Sequence, residues 1–330
     1  MCWGFINKKG EIVIEPKFFT INNSEFQDGL ACVGVHTVYP QKYGIIYGYI
    51  DKSGEMIIPP MFEYVSEFCN GLAVVKIKDY EGKNKSGVID KHGNFIIKPQ
   101  HDFIMIGPSY YKGLITIYLD KETIYYKNGE FILDPKDAPL NDYDDNPLMP
   151  IVQGDKYGYR DKNNQIVIEP KFDKAEHFLS RNNGFARVKI NNKYGYIDKT
   201  GAYVINPEFD ELGYFKDELA EAKTGGKYGF IDKRGKVVIK PMFDSVRDFS
   251  EGVAVVSVDK KFGVINKIGE YVIHPQFDKL CSFSEGLAGV EFSKIMYNDN
   301  GKEWGCKDEN GKWVHSNNFN YILGISKWIL

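Results

Sequence analysis

Apolar residues in this chain come in short clusters, cut off again and again by Gly, Pro, Asn and Asp, and no stretch sustains the 3.6-residue spacing of a long helix. Clusters such as Tyr194-Gly195-Tyr196-Ile197 and Val237-Val238-Ile239 combine aromatic and β-branched residues with a polar turn between them, the pattern of short strands in a hairpin. The turn itself recurs. It reads Asp-Lys-x-Gly, and its last residue falls at Gly10, Gly54, Gly93, Gly129, Asn164, Gly201, Gly235, Gly269 and Gly311, with spacings of 44, 39, 36, 35, 37, 34, 34 and 42. Proline follows six residues after each of the first eight, at 16, 60, 99, 135, 170, 207, 241 and 275. Six residues before most turns stands an aromatic-glycine pair: Trp3-Gly4, Tyr47-Gly48, Tyr157-Gly158, Tyr194-Gly195, Tyr228-Gly229, Phe262-Gly263 and Trp304-Gly305. Landmarks that agree at several fixed offsets are the mark of a tandem repeat.

Each landmark has a physical reading. The turn acid accepts an amide two residues on, and the fourth position needs positive φ, which glycine adopts freely and asparagine tolerates, so Asn164 fits the rule it breaks. Proline has no N–H to give a ladder, so it predicts the end of the strand after the turn. A third strand reads Phe-x-x-Gly-Leu-Ala-x-Val, as at Phe68…Gly71-Leu72-Ala73-Val74-Val75 and Phe283…Gly286-Leu287-Ala288-Gly289-Val290. Its recurrent alanine marks close approach between units. In the connector, Phe243, Val246 and Phe249 lie three apart, which predicts residues filling the gap between units and allows one helical turn. A three-stranded meander buries too little alone and is stable only when stacked.

Together, Trp3-Gly4-Phe5-Ile6-Asn7-Lys8-Lys9-Gly10, the run from Tyr228 to Asp244 and the stretch at 249–255 resemble bacterial WG-type (KWG) repeats over roughly residues 3–314. The resemblance implies a β-rich repeat scaffold and carries no catalytic activity or ligand with it. The expected fold is all-β: a tandem array of about nine three-stranded antiparallel meanders forming an elongated or curved solenoid, with a propeller-like closed ring as the alternative. Domains are expected at 1–135 (units one to four, the fourth degenerate), 136–150 (an acidic, Pro-containing insertion), 151–314 (units five to nine) and 315–330 (a C-terminal cap).

Composition narrows the function. Forty-two Lys+Arg against 45 Asp+Glu give a net charge of −3, with no basic excess to hold a phosphate backbone, which excludes a general nucleic-acid binder. Cys2, Cys32, Cys69, Cys281 and Cys306 are scattered and form no C-x-x-C pair, which predicts neither a disulfide framework nor a zinc site and fits a reducing compartment. There is no leader pattern and no apolar run long enough for a span, so the expectation is a cytoplasmic chain without a membrane span, although a trimmed envelope protein reads the same.

Candidate chemistry is sparse. The six histidines (36, 92, 101, 177, 274, 315) have no ligand partner at metal-binding spacing and read as structural or surface residues. Gly225-Gly226-Lys227 reads as a hairpin turn, not a phosphate loop. The acids from Asp134 to Asp145 lack the central glycine and later ligand of a calcium loop. Two repeat-borne features remain. Acids after the Pro-x-aromatic step (Glu63, Asp102, Asp173, Asp210, Asp244, Asp278) form either an acidic stripe or a set of local turn caps, with the caps favoured. The row Tyr157, Tyr159, Tyr194, Tyr196, Tyr228 and Phe230 either packs between units, the favoured reading, or stacks on sugars. No catalytic, cofactor-binding or metal-ligating residue is assigned and no cofactor is expected. The expected function is a non-enzymatic scaffold that binds a protein partner through a multi-unit surface, with a glycan- or envelope-binding module as the alternative. An enzyme would need a cleft near the insertions at 34–46, 136–150 or 291–303.

Overall fold

The structure, a computed structural model, describes residues 2–21, 25–39, 42–108, 115–120, 123–127, 130–132, 148–178, 184–292, 295–297, 304–307 and 313–315. These residues contain strands and no helix, gathered into nine small antiparallel sheets of three or four strands. The chain divides into two compact units, one of Met1–Pro139 with Phe277–Leu330, the other of Leu140–Gln276. Most of the expected acidic insertion and the segment 316–330 of the expected cap lie outside the described residues.

One sheet of the second unit shows the plan. Its strands run in the order Glu211–Leu212, Leu219–Thr224, Lys227–Asp232 and Val237–Phe243. The last three are the expected meander; the first is a two-residue strand from the connector, which supplies a fourth. In the next connector, Ser245–Val246 pairs with Ser257 and Val256, so the helical turn allowed between Phe243 and Phe249 does not form. Its amides find partners on an open strand edge, and so short a segment cannot meet the cost of helix nucleation. Phe243 and Phe249 are buried as expected.

Proline does not end the strand. Phe230 pairs with Ile239 and Tyr228 with Phe243, so Lys240-Pro241-Met242 bulges opposite the single residue Gly229. A bulge asks nothing of the proline nitrogen, and the strand resumes beyond it. The bulge also explains the aromatic-glycine pair. A Cβ on Gly229 would stand 2.3 Å from the Ile239 carbonyl oxygen and 2.7 Å from the Pro241 nitrogen. The same approach recurs at Gly4, Gly48, Gly158, Gly195 and Gly263. The Asp-Lys-x-Gly turn forms as predicted: Asp232 Oδ1 accepts the N–H groups of Arg234 and Lys236, both at 2.9 Å, Gly235 has φ +82°, and Asn164 stands in for glycine at φ +69°. Gly129 and Gly311 lie outside the described residues.

The core lies between successive sheets. In the second unit Leu219, Phe230, Ile239 and Phe243 of one sheet pack with Phe249, Ala254, Val256 and Ile265, which belong to the next. The connector phenylalanine meets the second aromatic of the preceding unit edge to face, as in Phe230–Phe249 at 4.7 Å and, in the first unit, Tyr49–Phe68 at 4.7 Å. Ala31, Ala73, Ala186, Ala220, Ala254 and Ala288 are all buried, in line with close approach at the recurrent alanine. In the first unit the strand Cys2–Asn7 lies between Ile12–Phe18 and Leu287–Phe292, so the first described strand shares a sheet with one far along the chain. Cys2 is disulfide-bonded, which the scattered cysteine spacing did not suggest, whereas Cys32, Cys69 and Cys281 take no part in a disulfide.

Candidate functional site

Five of the six acids after the Pro-x-aromatic step are paired with lysines. Asp244 takes the Lys227 ammonium at 2.5 Å on one oxygen and the Asp259 N–H at 2.8 Å on the other; Asp210 does the same with Lys193 at 2.5 Å and the Gly225 N–H at 3.0 Å. Lys156 pairs with Asp173 at 2.6 Å, Lys85 with Asp102 at 2.5 Å, and Lys78 with Glu63 at 2.9 Å. The lysine, then the backbone N–H, hold the Asp244 carboxyl below its ordinary pKa, and the same two causes act on Asp210. Asp244 and Asp210 thus accept an amide of their own sheet, and all five carboxylates have a lysine counter-charge.

The aromatic row divides in two. Tyr159, Tyr196 and Phe230 are fully buried, and the two hydroxyls donate to the carbonyls of Glu176 (2.6 Å) and Gly213 (2.8 Å), seventeen residues on. Tyr49 does the same to Ser66 at 2.7 Å. Burial pushes the Tyr159 hydroxyl well above the ordinary tyrosine pKa. Tyr157, Tyr194 and Tyr228 are half-buried, and lysines lie over two of them: Lys189 is 5.1 Å from the Tyr194 ring centre and Lys223 4.8 Å from that of Tyr228. Among the described residues no row of these aromatics faces open solvent.

A set of acids that sequence reasoning passed over ties one repeat to the next. Asp28, Asp217 and Glu285 stand before the glycine position of the third strand's opening turn. Asp28 accepts the Gly71 N–H at 2.7 Å, Asp217 that of Gly252 at 2.8 Å, and Glu285 that of Gly29 at 3.1 Å. The second-position lysine of the Asp-Lys-x-Gly turn joins them: Lys52 pairs with Glu285 at 2.8 Å and Lys91 donates to the Asp28 carbonyl at 3.0 Å. The visible signal was an acid or asparagine at the same place in several repeats, at positive φ in Asp28, Asn70, Asp217, Glu251 and Glu285.

One polar cluster has no counterpart in the other repeats. Arg187 and Glu221 occupy the position after the recurrent alanine, which elsewhere holds Cys32, Val74, Val255 or Gly289. The Arg187 guanidinium bonds Glu176 Oε1 at 2.5 Å and the Leu212 carbonyl, and lies 4.6 Å from the Tyr214 ring centre; Tyr214 donates to Glu176 Oε2 at 2.8 Å. Burial opposes the charge on Arg187, yet its bonds to Glu176 win and raise its pKa. Burial, then the charges of Asp248 and Glu211, push the Glu221 carboxyl above its ordinary value. The cluster holds no activated nucleophile, and every arm of the guanidinium is engaged, so its chemistry is that of a polar joint. Among the described residues no three His, Cys, Asp or Glu side chains are placed to hold a metal ion. An open groove of about 450 Å³ borders the 136–150 insertion, lined by Pro150, Ile151, Val152, Gln153, Arg160, Asn164 and Ile166, with no acid, base or nucleophile pair. Gly225-Gly226 is a two-residue hairpin turn at φ +60° and +82°. The His101 ring meets Asp120 at 3.2 Å and the His36 ring packs on Phe19, both structural settings.

What the repeats leave open is the last strand of each sheet. Ile12–Phe18, Met56–Phe62, Phe95–His101, Ile166–Phe172, Tyr203–Phe209, Val237–Phe243 and Tyr271–Phe277 all stand at a sheet edge. In five of them the third and seventh residues are both buried in the core, as Ile239 and Phe243 are, while opening residues stay exposed: Ile12, Val13, Ile57, Phe95, Ile166, Val167, Tyr203, Val237, Val238 and Val272.

No curated protein matches the chain in sequence. Among solved structures, a eukaryotic initiation factor aligns at 13% identity over 93% of this chain and 90% of its own, with a TM-score of 0.39. Puromycin hydrolase aligns at 9% identity over 88% and 57%, at 0.34, and AztD from Citrobacter koseri at 10% over 89% and 100%, at 0.27. Scores this low carry nothing over to this chain. The repeat model is specific. The WG containing repeat matches residues 3–35, 47–80, 87–120, 157–194, 194–228, 228–262 and 262–293, most of the sequence and the very units whose bulge, turn and hook geometry recurs, and the chain belongs to that family.

Proposed function

We propose that the protein is a non-enzymatic scaffold that binds a protein partner along the outer edge strands of its repeats. The observation that carries this reading is the same exposed apolar opening on edge strand after edge strand, beside recurrent polar groups that are occupied within the repeats. Proline and charge in these strands, as in Ile12-Val13-Ile14-Glu15-Pro16-Lys17-Phe18, discourage a full backbone ladder with another chain, so a partner would be read through side chains. Covering one valine contributes about 1.5 kcal/mol, and several weak contacts engaged together multiply into useful affinity. The glycan-binding alternative lacks an exposed aromatic row among the described residues. Affinity capture from the native host with mass spectrometry, against both lysate and isolated envelope, tests the reading. A specific protein enriched over a control repeat protein is expected; enrichment of none contradicts it.

A further inference from the structure

In the second unit, the third position of one Asp-Lys-x-Gly turn opens a stretch that runs to the sixth residue of its edge strand, Val237–Phe243, and the exposed side chains there are of two kinds only. Arg234, Lys236 and Lys240 are cationic; Val237, Val238 and Met242 are apolar. The lysines of this repeat that serve the fold have their acids: Lys227 pairs with Asp244 at 2.5 Å and Lys233 with Glu218 at 2.8 Å. Among the described residues no acid pairs with the side chains of Arg234, Lys236 or Lys240. The other edge strands differ in the same span. Each carries an acid there, such as Glu15, Glu169 or Glu270, apart from Phe95–His101, where Lys98 is the one lysine.

We infer that the edge strand Val237–Phe243, with the turn that leads into it, receives an acidic, apolar peptide segment of the partner, an assignment that rests on the proposal that partners bind the edge strands. The charge is complementary: three cations without a counter-charge attract a segment bearing carboxylates and steer its approach. The apolar residues between them fix the rest of the chemistry. Val237, Val238 and Met242 gain by being covered with apolar side chains, whereas a phosphate backbone would strand them against charge. Pro241 has no N–H to offer, so the segment is held by side chains instead of a continuous backbone ladder.

Fluorescence anisotropy of the full chain with a labelled octapeptide alternating Glu and Val tests this, beside octapeptides alternating Glu with Ser and Lys with Val and a single-stranded DNA oligonucleotide. The Glu-Val peptide is expected to bind most tightly and to weaken as salt screens the charges. Arg234→Glu, Lys236→Glu and Lys240→Glu together are expected to weaken it by about tenfold, the combined effect of three surface ion pairs, at an unchanged melting temperature. Should that variant unfold, the three Gln substitutions are expected to give a smaller loss in the same direction. The same charge change placed at other exposed lysines, Lys9→Glu, Lys162→Glu and Lys174→Glu, is expected to weaken binding far less. Equal loss in the two reversed variants, no loss in the first, or a Glu-Ser peptide or oligonucleotide that binds as tightly as the Glu-Val peptide would overturn the inference. Partners captured from the native host and kept by the Arg234, Lys236 and Lys240 variant would overturn it too, while leaving the edge-strand reading intact; capture of no partner would contradict that reading without altering the peptide result.

Discussion

At the scale of single residues, the repeat is governed by where a Cβ is forbidden and where a left-handed residue is required. Gly229 faces the Ile239 carbonyl across the proline bulge with no room for a methyl group. Gly229→Ala is therefore expected to lower the denaturant-unfolding free energy of its unit by about 3 kcal/mol, the scale of a forced backbone shift in a packed core; a loss too small to resolve would show that the bulge yields. Glu218 is the opposite case. It holds φ +75° where its counterparts are Gly29, Gly71, Gly252 and Gly286. Glu218→Gly removes a left-handed penalty of about 1–2 kcal/mol. It gives up an exposed ion pair with Lys233, a type of contact that contributes about 0–1 kcal/mol. A net rise in melting temperature is expected, and a fall would mean the Lys233 contact matters more. Glu221 supplies the pH test. A carboxyl whose folded pKa is raised opposes folding above its unfolded value of 4.5, and that opposition disappears as pH falls below it. Glu221→Gln is expected to raise the melting temperature at pH 7 and to leave it unchanged near pH 4; an equal gain at both would trace the effect to packing instead.

Strands are tied to connectors by bonds that no local pattern displays. Tyr159 and Tyr196 reach carbonyls seventeen residues away from fully buried sites. Tyr159→Phe or Tyr196→Phe leaves such a carbonyl without its donor and is expected to cost about 1–2 kcal/mol in chemical denaturation. No measurable change would show that water takes the hydroxyl's place. This distance in sequence is also why legibility stopped where it did. The Asp232–Gly235 turn, Asn164 and the third strand could be read directly because each is a local conformational requirement. The Asp28–Gly71 hook joins residues 43 apart and the Glu285–Gly29 hook residues 256 apart, and the recurrent acid before the turn glycine does not reveal which distant amide it reaches. Pro241 misled for a related reason: a missing N–H ends a regular ladder, but a bulge opposite Gly229 accommodates it, and only the partner strand reveals that.

For the whole molecule, the account is one of internal consistency followed by a remainder. The recurrent aromatics, weighed as a packing row or a stacking row, fill the sheets or lie half-buried under lysines, and recurrent acids pair with lysines or hook one repeat to the next. The exposed openings of the edge strands, Val13, Val167 and Val238 among them, are what the repeats present and do not use. That remainder was legible as sequence, in the apolar residues after every Asp-Lys-x-Gly turn. Their exposure was not, because the same residues in a central strand would be core. The decisive measurement is a quantitative affinity capture comparing the native chain with a variant carrying Val13→Lys, Val167→Lys and Val238→Lys, both checked for equal melting temperature. The account predicts that the proteins enriched by the native chain are lost together from the variant. Retention of the same proteins at the same level would contradict it.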